Sequence, residues 1–172
     1  MTILITGGSG SGKSALAEKI IHTLCPTEKI YLATMLCHDR ESELRVERHR
    51  QMRAERCFRT LECPKALSSA PIPRNAAVLL EDLPNLLANE MFEGGEPDNV
   101  LRDLRNLSRQ CCHLCMVTGE VFSDGIRYDS LTQTYIARLA QLNRSLAAAC
   151  DCTIEVICGI PVLLRGTLPF PL

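Results

Sequence analysis

The chain has 172 residues, 46% apolar and 23% charged, the proportions of an ordinary globular protein long enough to bury a real core. Nineteen Lys and Arg against twenty Asp and Glu leave a net charge of −1, which argues against a nucleic-acid partner held by bulk electrostatics. No apolar run approaches the roughly 20 residues of a membrane span, and Met1 leads straight into an apolar stretch with no room for a signal peptide, so a cytoplasmic protein is expected.

The run TILIT at 2–6 predicts a strand. After GGSGSGKS at 7–14, Leu16, Ile20 and Leu24 recur at helical spacing and predict a helix over 13–24. Glycine loses more backbone freedom on folding than any other residue, so a glycine-rich turn between strand and helix needs a reason. Such a turn aims backbone N–H groups and the positive end of a helix dipole at one point, which makes an anion cradle. The spacing G-x-x-x-x-G-K-S then assigns the parts. Gly7, Gly8, Ser9, Gly10, Ser11 and Gly12 wrap a nucleoside triphosphate tail, Lys13 reaches the β- and γ-phosphates, and the Ser14 hydroxyl ligates Mg²⁺.

Further strands are predicted at 29–34, 76–81, 113–118 and 152–158, with helices at 40–56, 83–92, 97–110 and 129–149 between them. This alternation predicts an α/β fold, a mainly parallel sheet with helices on both faces. In the last helix Leu131, Tyr135, Leu139, Leu142 and Leu146 share a face, and Asp129 is the expected N-cap. Residues 68–75, 93–98 and the Pro-rich tail after Gly159 read as irregular, and none reads as a linker, so 1–172 is expected to form one domain.

Two stretches carry further chemistry. Ten of the seventeen residues of RESELRVERHRQMRAER (40–56) are charged, so it reads as a surface helix. Arg45, His49 and Arg53 lie four apart on one face; cationic neighbours keep an imidazole neutral, as a nucleophile at phosphorus requires. The same spacing also suits a solvated face of Glu–Arg pairs. AAVLLEDL ends in Glu81-Asp82 at the carboxyl end of a strand, where ligands sit in open α/β sheets. Glu81 there would complete the Mg²⁺ site begun by Ser14, the alternative being a pair of carboxylates that starts a helix. Glu120 has the same placement on another strand. Of the ten cysteines, Cys112 with Cys115 and Cys150 with Cys152 have loose zinc spacing. Cys115 and Cys158, in apolar strand-like runs, are instead expected as small buried hydrophobes.

Taken in order, GGSGSGKS, YLAT (31–34), RVERHRQMR (45–53), FRTLECP (58–64), VLLEDL followed by Asn89, GEV (119–121), LNRSLAAACD (142–151) and GIP (159–161) resemble the bifunctional adenosylcobinamide kinase/adenosylcobinamide-phosphate guanylyltransferase family of cobalamin biosynthesis. Two positions and one loop depart from that pattern: Gly10 stands where the family carries Arg, Phe58 replaces Trp, and GEVFSDG replaces N-E-V-G-x-G, with Gly119, Phe122 and Asp124 in place of the expected residues. The resemblance implies a RecA-like P-loop NTPase domain, a homotrimer, GTP and ATP as substrates with Mg²⁺, and a corrinoid acceptor. It implies that His49 accepts GMP from GTP, with Lys13 as the second catalytic residue. Nucleotide contacts are implied for the 7–14 loop, Ala33, Thr34, Met35, Arg50, Gln51, Met52, Arg53, Glu62 and Glu81. The residues also admit a P-loop small-molecule kinase in which His49 merely contacts phosphate, or a nucleotide-gated switch without the transferase step.

Overall fold

The apolar runs become the strands of one sheet: β1 (Thr2–Thr6), β2 (Lys29–Ala33), β3 (Phe58–Glu62), β4 (Ala77–Glu81), β5 (His113–Val117), β6 (Cys152–Ile157) and β7 (Ile160–Arg165). They lie in the order β3-β2-β4-β5-β1-β6-β7. Every neighbouring pair is parallel except β6–β7. The structure, a computed structural model, describes residues 1–24, 28–36, 57–121 and 125–171; the helix expected over 40–56 lies outside them. The helices described are α1 (Lys13–Leu24), α2 (Leu83–Phe92), α3 (Val100–Gln110) and α4 (Ser130–Ala149).

Parallel strands covered on both sides have no polar face, which is why they read as continuous apolar runs. Successive side chains still alternate between two cores. Leu4, Ile30, Leu32, Val78, Leu80, Leu114 and Met116 pack with Leu86, Leu104, Leu139 and Leu146 of α2, α3 and α4. Ile3, Ile5, Tyr31, Leu79, Cys115, Val117 and Ile154 pack on the other side with Ala17, Ile20 and Ile21 of α1. Each fully buried Leu or Ile stabilises the fold by about 1.5–3 kcal/mol.

Two strands are absent from the sequence expectation. β3 is an edge strand with three polar residues in five, FRTLE, and only Phe58 is buried. β7 was expected as an irregular tail because Pro161 falls within it; proline is tolerated there because the strand is an antiparallel edge. Arg165 at its end donates to the carbonyls of Ala147, Ala148 and Cys150 at 2.8, 2.6 and 3.1 Å, satisfying groups that the end of α4 leaves open. Three smaller expectations are also corrected. The helix expected over 97–110 is a 3₁₀ turn, Pro97–Asn99, followed by α3. Leu131 is 59% exposed, so the buried stripe of α4 is Leu139, Leu142 and Leu146. Cys158 is exposed in the β6–β7 turn at φ 51°, whereas Cys115 is fully buried in β5, where loss of hydration pushes its thiol pKa well up. Asp129 does cap α4, accepting from the Leu131 and Thr132 amides at 2.9 and 3.0 Å.

Candidate functional site

The glycine-rich loop joins β1 to α1 and is walled by the β6–β7 turn. The Gly159 amide donates to the Ser11 carbonyl at 2.9 Å. Gly7 has φ 148°, and a Cβ built on it would lie 2.5 Å from the Val156 carbonyl oxygen, so a side chain there cannot coexist with β6. The Ser11 amide bonds the Gly8 carbonyl at 3.2 Å and the Leu16 amide bonds the Gly12 carbonyl at 3.1 Å, which carries the turn into the helix. Gly8, Ser9, Gly10 and Gly12 face solvent. Lys13 folds over the loop, its Nζ donating to the Gly8 carbonyl at 2.9 Å.

The neighbouring wall is the carboxyl edge of β3, β2 and β4. Ala33 is in register with both Glu62 and Glu81, so the three share one rung at that edge. Glu81 points toward α1: the Ser14 hydroxyl donates to its Oε1, and the Tyr31 hydroxyl donates to its Oε2 at 3.1 Å. Thr34 continues β2 and is fully buried. Its hydroxyl donates to the Asp82 carbonyl and accepts from the Asp82 amide, both at 2.8 Å. Buried Asn89 of α2 donates to the carbonyls of Thr34 and Pro64 at 2.7 and 3.0 Å, fixing the ends of β2 and β3 together. Met35 and Glu62 are exposed at the rim.

Ser14 and Glu81 bring a hydroxyl and a carboxylate into contact beside the glycine-rich loop. Hard oxygen donors of this kind fit Mg²⁺, which takes one or two protein oxygens and completes its shell with phosphate and water.

Over residues 3–164 the chain matches a family model described as "Cobinamide kinase / cobinamide phosphate guanyltransferase". The chain belongs to this family. It is similar to the bifunctional adenosylcobalamin biosynthesis protein CobU of Escherichia coli, 31% identical over 184 residues, which span 96% of this chain and 100% of that protein. CobU of Salmonella typhimurium is 30% identical with the same coverage. The bifunctional adenosylcobalamin biosynthesis protein CobP of Pseudomonas aeruginosa is 27% identical over 175 residues, 96% of this chain and 98% of its own. Among solved structures, the flagellar accessory protein FlaH from Methanocaldococcus jannaschii superposes with a TM-score of 0.55 at 10% identity, over 96% of this chain and 78% of that one. A Pyrococcus horikoshii protein superposes at 0.51 and 9% identity, over 98% and 87%. These two share the fold, which is α/β and RecA-like.

Within this cobinamide kinase/guanyltransferase chain, the structure brings together Gly7 to Ser14, Ala33, Thr34 and Glu81 and puts Met35 and Glu62 on the same edge. His49, Arg50, Gln51, Met52 and Arg53 lie outside the described residues. Glu120 follows β5 at the loop's flank, its amide reaching the Gly7 carbonyl at 3.4 Å. The sequence reading missed Tyr31 and Gly159 as parts of this site, although both sit in motifs it quoted. Their roles depend on cross-strand and turn contacts that no local pattern encodes. Asn143 is a third case, since it holds the end of β5 through a 2.8 Å bond with the Thr118 hydroxyl.

The two acidic readings of Glu81-Asp82 divide between the residues. Glu81 faces Ser14, whereas Asp82 caps α2, its Oδ1 accepting from the Asn85 amide at 2.8 Å. Burial raises the Asp82 pKa above the ordinary carboxylate range, with Glu81 adding to the shift and the Asn85 bonds and Lys13 opposing it. The folded state therefore holds the proton more tightly than the unfolded chain does, and ionisation of Asp82 subtracts stability as pH rises. Asn caps as well as Asp without a charge, so Asp82→Asn is expected to be at least as stable as the parent at pH 7, while Asp82→Ala loses about 1 kcal/mol. The advantage of Asn should shrink as pH falls through the carboxylate range. Chemical denaturation at several pH values checks both points, and a growing advantage at low pH would overturn the assignment.

Proposed function

We propose that the chain carries out both reactions of its family, as one domain, on a corrinoid substrate. A phosphoryl group passes from ATP or GTP to the aminopropanol hydroxyl of adenosylcobinamide. GMP then passes from GTP to the resulting phosphate, giving adenosyl-GDP-cobinamide. The observation that carries this reading is the Ser14–Glu81 pair beside the glycine loop, in a chain that aligns over 96% of its length with a bifunctional relative.

In the first reaction the loop amides hold the phosphate tail and Lys13 stabilises charge on the transferring group. Ser14 and Glu81 would hold Mg²⁺, which would offset negative charge on the phosphate tail during the transfer. In the second, a neutral His49 nitrogen attacks the α-phosphorus of GTP and pyrophosphate leaves. A phosphate oxygen of the corrinoid then attacks that phosphorus, and the P–N bond breaks to return the imidazole. Two displacements at phosphorus replace one slow direct transfer. Arg50, Gln51, Met52 and Arg53 would line the nucleotide around His49, with Ala33, Thr34, Met35 and Glu62 on the sheet edge.

The assembly is proposed as a homotrimer. In support, β7 is an outer strand bearing exposed Ile160, Leu163 and Leu164, an apolar edge that a second chain would cover. Among the described residues no helix is long and apolar enough to cross a membrane, and the eight cysteines that fall among them carry free thiols, which suits the reducing cytoplasm.

Incubation of the protein with adenosylcobinamide, GTP and Mg²⁺ tests the reading. Mass spectrometry is expected to find the phosphorylated and then the GDP-linked corrinoid. Nucleotide hydrolysis with neither product would sink it. Glu81→Gln keeps the shape of the site and removes its charge, so the Mg²⁺ concentration giving half-maximal rate should rise about tenfold or more. An unchanged Mg²⁺ dependence would return Glu81 to a structural role.

A further inference from the structure

Tyr31 is 8% exposed and sits in the core between the sheet and α1, where a phenylalanine would fill the same space. Its hydroxyl therefore calls for an explanation, because a buried phenol needs a hydrogen-bond partner. The register supplies one. Tyr31 is paired with Leu79 across β2 and β4, and Glu81 lies two residues further along the same face, the diagonal neighbour that a long aromatic side chain can reach. The ring itself is held edge-on against Phe58, at 6.3 Å between centroids and 86° between planes, and Phe58 in turn packs edge-on against His22 at 5.4 Å. Packing thus fixes the direction of the hydroxyl, which donates to Glu81 Oε2 while Ser14 donates to Oε1.

We propose that Tyr31 is a positioning residue for the metal-binding pair: by holding one carboxylate oxygen of Glu81 it turns the other toward the Ser14 hydroxyl. This inference rests on the metal role proposed above for Ser14 and Glu81. A serine hydroxyl that gives its proton to a carboxylate keeps its lone pairs free, and their direction is then set by where the carboxylate sits. With Oε2 released, the Glu81 side chain gains rotational freedom that cation binding must remove again. Outer partners of metal ligands act in this way, orienting the ligand rather than touching the ion.

The test is Mn²⁺ titration in the presence of a non-hydrolysable GTP analogue, with free Mn²⁺ read by electron paramagnetic resonance. Tyr31→Phe removes the hydroxyl and keeps the ring. It is expected to raise the Mn²⁺ Kd about 3- to 10-fold, the range of one hydrogen bond, with kcat at saturating metal within about twofold of the parent. Phe58→Leu loosens the ring packing but leaves the hydroxyl, so it should lower Tm and shift the Mn²⁺ Kd by less than Tyr31→Phe does. A Tyr31→Phe Kd equal to the parent's would overturn the proposal. So would a Phe58→Leu shift as large as that of Tyr31→Phe, since packing rather than the hydroxyl would then be responsible. If the parent itself shows no analogue-dependent Mn²⁺ binding, the metal reading fails first, and Tyr31 has nothing to position.

Discussion

His49→Ala protein incubated with GTP radiolabelled at the α-phosphate is expected to form no covalent adduct, whereas His22→Ala, His38→Ala and His113→Ala still do. In the proposed function the glycine loop holds the phosphate tail, but guanylyl transfer requires attack at the α-phosphorus, so the nucleophile must come from elsewhere in the chain. A neutral imidazole attacks phosphorus well and leaves well once protonated. Arg⁺ neighbours favour the neutral ring and offset charge growing on the phosphoryl oxygens. The described histidines are poorly placed for this work. His22 is in the last turn of α1, nine residues from Lys13 or about 13 Å along the axis, with its Nδ1 2.8 Å from Lys29 Nζ. His113 opens β5, at the sheet edge opposite the loop. The adduct on the parent should be released by mild acid or hydroxylamine and survive strong base, as a phosphoramidate does. A stable adduct on His49→Ala would end the two-step mechanism and favour a bare kinase.

Lys13→Ala is expected to reduce triphosphate-dependent turnover in both reactions by about 10²–10⁴, the loss typical when one preorganised electrostatic stabiliser is removed. The fold should survive, because Lys13 is partly exposed and its ammonium contacts only the Gly8 carbonyl of its own loop within the hydrogen bonds described. Steady-state rates with each nucleotide, alongside thermal unfolding of parent and variant, check the claim. Normal turnover in a folded Lys13→Ala protein would remove the nucleotide site from the glycine loop. Loss of the fold would instead place Lys13 among the structural residues.

The five strands read from apolar runs, and the two-faced α/β arrangement they imply, were legible because each is a local pattern. An uninterrupted run such as AVLLE is favourable only where both faces are covered. The loop was legible for a similar reason: a fixed spacing of glycines, lysine and serine acts over eight neighbouring residues. The Asp129 cap belongs to the same class, since its partners lie two and three residues away. The tertiary structure alone decided what depends on distant chain segments meeting. Strand FRTLE carries too many polar residues to be recognised until β2 pairs with it, and the proline of IPVLLR misleads until the strand is seen to be an outer one. The division of labour in Glu81-Asp82 came from geometry as well, because Glu81 ends β4 and meets Ser14, 67 positions earlier, while Asp82 lies beyond the strand and caps the start of α2. Tyr31 was visible only as a motif letter until the β2–β4 register set it diagonal to Glu81. Sequence spacing encodes contacts within a turn or two of chain. Register between strands is fixed by the packing of the whole sheet, and the site is assembled across that register.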